Sequence, residues 1–190
     1  MSGSGRRAGV PGEHPYQICV SGAAKGTTVD HASVLAEAAG RRIAERGQTL
    51  LTGATNGLPN FAAKGAKGAG GTSIGFSPAT TRREHVKSYR LPTQHYDSIV
   101  CTGFGYTGRD LLLVRSADAM VVIGGRIGTL QEFAVAFEEK TPIGIMAGSG
   151  GITDVAKLAL KAAKRNRRTV LYDDDPARLV DRLLALLNKE

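Results

Sequence analysis

Tryptophan is missing from this sequence and aromatic residues make up only 5% of it, so few rings exist from which to build a stacking platform for single-stranded nucleic acid. Cysteine is nearly missing as well. Cys19 and Cys101 are too few for a disulfide framework, and both lie in apolar runs where a thiol serves as a small buried hydrophobe, which points to a reducing compartment. No apolar run approaches the ~20 residues of a membrane-spanning helix. The segment Met1 to Pro15 carries Arg6 and Arg7 but no apolar stretch of the kind a secretory signal needs. A cytoplasmic protein without a membrane partner is therefore expected. Metal-ligand spacing is lacking too: His85 and His95 sit in a long polar stretch, where surface or loop roles are expected, and no metal site is assigned.

What the sequence does have is glycine and positive charge. There are 25 glycines among 190 residues, and 25 Lys and Arg against 17 Asp and Glu give a formal charge of +8. With 42% hydrophobic residues the chain has the composition of a globular protein, and its length suits one domain. Part of the charge clusters in Lys157, Lys161, Lys164, Arg165, Arg167 and Arg168, which read as the solvated face and end of one helix. No aromatic interleaves with the cluster, so nucleic acid is not the expected partner; an anionic small molecule is.

Residues 1–15 lack any apolar period and read as a mobile tail; residues 16–190 read as a single domain. Beyond the tail, short β-branched runs alternate with longer segments of helical period, the pattern of successive βαβ units. Strands are expected near 16–20, 49–52, 72–76, 98–101, 119–123, 142–146 and 169–171. Helices should begin near Asp30 as an N-cap, near Leu58, near Tyr106 or Gly108, at Thr129, before Val155, and after the Asp175-Pro176 cap. The first helix should turn Val34, Leu35, Ala38, Ala39 and Ile43 inward, and the last Val180, Leu183, Leu184 and Leu187. Ser77 to Asp97 reads as a long loop. The fold class is thus α/β: a doubly wound, Rossmann-like, mostly parallel sheet with helices on both faces.

In such a sheet ligands lie beyond the carboxyl ends of the strands, and here several strands run into glycine-bearing loops. Glycine lets backbone N–H groups approach a phosphate, and the following helix adds unpaired donors and a positive dipole end. Gly124-Gly125-Arg126-Ile127-Gly128, between a very apolar strand and a helix, is the foremost phosphate loop; a tight turn without ligand is the other reading of it. Two better-known fingerprints fail. In Gly22-Ala23-Ala24-Lys25-Gly26-Thr27-Thr28 the lysine precedes the glycine where a P-loop needs it after, and G-x-G-x-x-G does not follow the first strand.

Arg109, Ser116-Ala117-Asp118-Ala119, an apolar strand, Gly124-Gly125, Gly128-Thr129 and Glu132 together resemble the signature R…SDA…PGGxGTxxE of the Lonely Guy, or "lysine decarboxylase-like", phosphoribohydrolases. Ser21-Gly22, Leu51-Thr52-Gly53 with Gly57-Leu58, and Gly70-Gly71 before Ile74-Gly75 resemble further landmarks of that family. The resemblance implies hydrolysis of the N-glycosidic bond of a nucleoside 5′-monophosphate to free base and ribose 5-phosphate. It implies no metal or organic cofactor, Arg109 and Glu132 as the catalytic pair, and a homodimer. Phosphate and nucleotide contacts would come from Ser21, Gly22, Gly53, Asn56, Gly57, Gly124, Gly125, Arg126, Gly128 and Thr129. Ile123 in place of the proline, the extra residue between Gly125 and Gly128, Gly53-Ala54-Thr55-Asn56 in place of a triple glycine, and Asp110 in place of a lysine bring the sequence nearer a related branch that includes molybdenum-cofactor carriers. A carrier would bind a phosphorylated ligand without turnover. Independently of any family, Thr129-Leu130-Gln131-Glu132 also fits a T-x-x-E capping box, in which Glu132 would satisfy a backbone N–H.

Overall fold

A computed structural model describes residues 14–162, 164 and 169–189. The tail expected over residues 1–15 thus falls almost wholly outside the described residues, as do Arg165, Arg167 and Arg168 of the basic cluster. Lys157, Lys161 and Lys164 are exposed.

The seven expected strands form one parallel sheet. They are β1 (Gln17–Gly22), β2 (Thr49–Thr52), β3 (Ser73–Ser77), β4 (Ser98–Cys101), β5 (Ala119–Ile123), β6 (Ile143–Met146) and β7 (Val170–Asp173), in the order β4-β3-β2-β1-β5-β6-β7. The chain steps outward from β1 to β4, returns to place β5 against β1, and steps outward again the other way. This makes the pair β1 and β5 the topological switch point, where a crevice opens beyond the strand ends. Every residue of β5 is buried, as a central strand covered on both faces must be, whereas β4 at the edge alternates between exposed and half-buried.

Helices α1 (Thr27–Glu45), α2 (Leu58–Gly68) and α7 (Pro176–Leu187) cover one face, packing Ile43, Leu58, Leu179 and Leu183 over Ile18, Val20 and Val121. On the other face, α4 (Gly105–Arg115), α5 (Ile127–Glu138) and α6 (Ile152–Ala162) bury Leu113, Phe133, Phe137 and Ala156 against Cys19, Met120 and Ile145. The stripe expected of α7 is buried along its whole length, and Asp175 caps that helix by accepting from the Arg178 N–H at 2.7 Å. No helix among the described residues is long and apolar enough to cross a membrane.

Three expectations about helices fail for physical reasons. The first concerns α1, which starts at Thr27 with Gly26 in the cap position, so Asp30 lies in its first turn instead of capping it. Val34 is 76% exposed. The inward face is made of Ala32, Ala36, Ala39, Gly40 and Ile43 because α1 and α2 cross with their backbones touching: a Cβ at Gly40 would lie 1.9 Å from the Ala62 carbonyl oxygen. A contact that close selects small residues and leaves the larger Val34 outside.

The second concerns the stretch Ser77 to Asp97, which contains a helix, α3 (Arg82–Lys87). Thr81 accepts from the Glu84 N–H at 3.1 Å while the Glu84 carboxylate accepts from the Thr80 N–H at 2.7 Å, an N-terminal device in a segment without apolar period. His85 is fully buried there, its Nδ1 2.8 Å from Ser77 Oγ and its Nε2 3.0 Å from the Pro92 carbonyl oxygen. A histidine expected in a surface or loop role thus ties α3 to the end of β3. Third, α5 begins at Ile127 with Arg126 in the cap position, two residues before the expected start at Thr129.

Candidate functional site

A cavity of about 360 Å³ opens at the switch point, beyond the ends of β1 and β5. In the sheet register Ser21 faces Val122 and Gly22 faces Ile123, so the last two residues of β1 form the cavity floor beside the loop that leaves β5. Three loops converge there. The loop after β1 supplies Ala23, Ala24 and Lys25; the loop after β2 supplies Gly53 and Thr55; the loop after β5 supplies Arg126 and the first turn of α5, with Ile127, Gly128 and Thr129. The wall is completed by Tyr106, Arg109 and Asp110 from the start of α4 and by Glu132 from α5.

The first turn of α5 is suited to an anion. Its leading N–H groups have no intrahelical acceptor, the helix dipole adds positive potential, and no acidic side chain occupies the turn. Lys25, Arg109 and Arg126 bring three cationic side chains to the same cavity. Gly125 sets the path into the turn: its φ is +104°, and a Cβ there would lie 2.5 Å from Thr129 Cγ2. Gly124 has a different task, since its N–H donates to Ser149 Oγ at 2.8 Å and Ser149 Oγ in turn donates to the Met146 carbonyl at 2.7 Å. Ser149 therefore braces the loop from beneath, with help from the Ile152 N–H, which donates to the Gly125 carbonyl at 3.2 Å.

Beside this anion pocket lies a buried ionic cluster. Arg109, Asp110 and Glu132 are 4%, 5% and 7% exposed. Arg109 Nε stands 3.2 Å from Asp110 Oδ1, a charge contact without the alignment of a directed hydrogen bond. Ser21 Oγ donates to Glu132 Oε2. Burial first and the Asp110 carboxylate second push Glu132 up to about 7, against the opposing pull of Arg109 and Ser21. Burial likewise raises Asp110, with Arg109 the main opposing influence. Behind the cluster the buried Cys19 thiol is held well above its ordinary range, chiefly by desolvation and then by Glu132, which makes it an inert wall and not a nucleophile.

The Arg109 guanidinium is fitted into place on two sides. It lies 5.8 Å from the centroid of Tyr106, whose ring is met edge-on by Tyr89 at 5.6 Å. Its Nη1 occupies the space a side chain at Gly53 would take, 1.6 Å from the position of a Cβ. Gly53→Ala is accordingly expected to fold with a loss of about 1 kcal/mol or less, because the far end of a long side chain can swing aside. Ligand affinity should nonetheless fall about tenfold or more, since the displaced guanidinium no longer faces the cavity. Paired thermal melts and ligand titrations would check both halves.

Of the residues expected at the site, Ser21, Gly22, Gly53, Arg109, Arg126, Gly128, Thr129 and Glu132 line the cavity. Gly124 and Gly125 shape the loop beneath it, Asn56 is exposed outside it, and Gly57 instead meets the backbone of Ala23 and Ala24. The capping-box reading of Glu132 fails: Thr129 lies inside α5, no side chain caps the helix, and the Glu132 carboxyl accepts from Ser21. Sequence reasoning missed Lys25, Thr55, Tyr106 and Asp110 as lining residues. Lys25 stood in a segment weighed only as a failed P-loop, and Asp110 showed only as an unusual neighbour of Arg109.

A doubly wound parallel sheet with glycine-bearing loops and a helix N-terminus converging at its switch point defines a Rossmann-like protein whose cavity is suited to an anion. The chain belongs to the SLOG cluster4 family, which it matches over residues 15–180. Among solved structures it is similar to the molybdenum cofactor carrier protein of Chlamydomonas reinhardtii, with 30% identity and a TM-score of 0.75 over 92% of this chain and 99% of the other. It is also similar to the molybdenum cofactor binding protein of Rippkaea orientalis, with 25% identity and a TM-score of 0.74 over 92% and 98%. An uncharacterized protein of Archaeoglobus fulgidus is 33% identical over 100 residues, an alignment that spans 53% of this chain and 60% of that relative.

Proposed function

We propose that the cavity is the active site of a phosphoribohydrolase of the Lonely Guy type, which cleaves the N-glycosidic bond of a nucleoside 5′-monophosphate to give free base and ribose 5-phosphate. The observation that carries this reading is Glu132, which lines the cavity together with Arg109, one helical turn from the leading N–H groups of α5. A 5′-phosphate bound by that helix start with Lys25 and Arg126 would set the ribose over Glu132. Cleavage develops positive charge on the ribose, and a carboxylate fixed below it stabilises that charge or orients the attacking water. Binding energy gathered at the phosphate would then hold the reacting bond in place. Arg109 keeps the carboxyl cluster charge-compensated and reaches toward the ligand. The same reading has the protein act as one domain in the cytoplasm, as a homodimer in which a second copy covers exposed Phe104, Leu111 and Leu112 beside the cavity.

A second reading is supported by the likeness to two molybdenum-cofactor proteins over nine-tenths of the chain: the same loops would bind a phosphorylated ligand such as that cofactor and release it unchanged. The two separate in one experiment. Purified protein is incubated with a panel of nucleoside 5′-monophosphates, the matching nucleosides and the 3′-phosphates, and free base is followed by chromatography. The hydrolase reading expects base from one or more 5′-monophosphates and at least ~100-fold less from the nucleosides, because the phosphate anchor is lost. Tight binding of a phosphorylated pterin together with no base from any nucleotide would replace it with the carrier reading.

A further inference from the structure

Among the described residues Tyr106 is the one aromatic that lines the cavity, in a chain with few aromatics of any kind. It stands in the first turn of α4 and stays 48% exposed, although two neighbours pack against its ring. The Arg109 guanidinium lies over the ring, 5.8 Å from its centroid. The Tyr89 ring meets it nearly at right angles, with 79° between the planes and 5.6 Å between the centroids. A ring packed by two neighbours has lost much of its rotational freedom before any ligand arrives, so a group that stacks on it costs little further side-chain entropy. The accessible part of the residue offers aromatic surface in a cavity otherwise marked by charge.

The ring is also tied to the anion-binding turn. Gln131 Nε2, from the second turn of α5, donates to the carbonyl of Thr107, the residue after Tyr106, at 3.2 Å. The helix start that offers free N–H groups and the helix start that carries the ring are thus fastened to each other. Lys25 and Arg126 add charge to the same cavity, and Ile127, 79% exposed, adds apolar surface in the first turn of α5. An anchor for an anion joined to a braced aromatic ring suits a ligand made of two parts, one phosphorylated and one flat.

We propose that Tyr106 is a stacking platform and a specificity-determining residue, which selects compounds that join a phosphate to a planar heteroaromatic ring over phosphorylated sugars alone. This inference rests on the reading of the cavity as a phosphate site, and it holds whether the ligand is cleaved or released unchanged. A nucleobase and a pterin both present the flat surface that such a platform needs. Stacking on an aromatic side chain tolerates differences between rings, because every base has a π face. Its contribution should therefore be read as the difference between ligands with a ring and a ligand without one.

The test is calorimetric titration of the full chain with AMP, a phosphorylated pterin and ribose 5-phosphate, in Glu132→Gln so that no nucleotide is consumed, alone and combined with Tyr106→Phe or Tyr106→Leu. With Tyr106 intact, AMP or the pterin should bind at least about tenfold more tightly than ribose 5-phosphate, and the better of the two identifies the ring as nucleobase or pterin. Tyr106→Leu should weaken that ligand about 10- to 100-fold while moving ribose 5-phosphate by no more than about twofold. Tyr106→Phe keeps the ring and should stay within about threefold for all three. Equal losses for ligands with and without a ring in Tyr106→Leu would show that Tyr106 acts only by packing Arg109 and would overturn the proposal, as would no loss at all. One measurement needs no change at Tyr106: its ring proton resonances should move upfield when the ringed ligand binds and stay in place with ribose 5-phosphate, and indifference to both overturns the proposal. If ribose 5-phosphate binds and neither ringed ligand binds more tightly, the platform fails and the phosphate site stands; if none of the three binds, the phosphate reading fails and this inference with it.

Discussion

Glu132→Gln should be inactive and, above neutral pH, more stable than the wild-type protein. Glutamine preserves the shape of the side chain and can still hydrogen-bond to Ser21, but it cannot carry the negative charge that the ribose cation needs. Base release should fall by about a thousandfold or more, with ligand affinity kept within a few-fold. The stability effect follows from the raised Glu132 carboxyl, about 7 in the folded protein against 4.5 for the free side chain. Between those values the folded state holds a proton that the unfolded state has released. The wild-type protein is thus favoured fully below about pH 4.5 and loses that contribution as pH rises through 7. A shift of that size corresponds to on the order of 3–4 kcal/mol. Urea unfolding midpoints should therefore decline from pH 5 to pH 8 in the wild type and stay nearly level in Glu132→Gln. Equal slopes would mean that Glu132 is ionised throughout. The expected trade of stability for a poised carboxyl is common at sites that must move protons.

Arg109→Met should have the larger structural cost. The guanidinium is the only cation in contact with the buried carboxyl cluster among the described residues, and it favours the ionised form of both Asp110 and Glu132. Methionine of similar length leaves the cluster uncompensated, which typically costs about 3–5 kcal/mol. The sign of the pH dependence is specific. At pH 5 the carboxyls can protonate and the loss should be modest; at pH 8 they must either remain protonated against the solvent or ionise without a partner, so the loss should be greatest. Denaturant midpoints at the two pH values check this, and a loss that is the same at both would show that packing around Tyr106, not charge, explains the effect.

The strands were readable in the sequence because a central parallel strand must be apolar on both faces: Ala119–Ile123 announces itself without alternation, and the glycine loop behind it marks where the ligand side lies. The face of α1 was not, because its packing against α2 depends on how closely two backbones approach at Gly40, a distance absent from any periodicity in one helix. The helix α3 escaped for another reason. Its six residues carry no apolar stripe, and it is held by the cap at Thr81 and by one buried histidine whose partners, Ser77 and Pro92, lie beyond its ends.

At the site the contrast is similar. Arg109 and Glu132 stood out through their joint spacing with the glycine loop. Asp110 stayed hidden because it and Glu132 are 22 positions apart on two helices that only the fold brings to one cavity. Lys25 and Tyr106 become neighbours of the cavity by the same convergence of loops at the switch point.

The most direct test of the account is to incubate wild-type protein and Glu132→Gln with the nucleoside 5′-monophosphate that binds best, and to quantify base and ribose 5-phosphate in the same samples. Equimolar release of both products by the wild type, with none from a variant that still binds the nucleotide, is the predicted result. Tight binding by both proteins without release of either product would contradict it and leave the cavity as a site that carries its ligand unchanged.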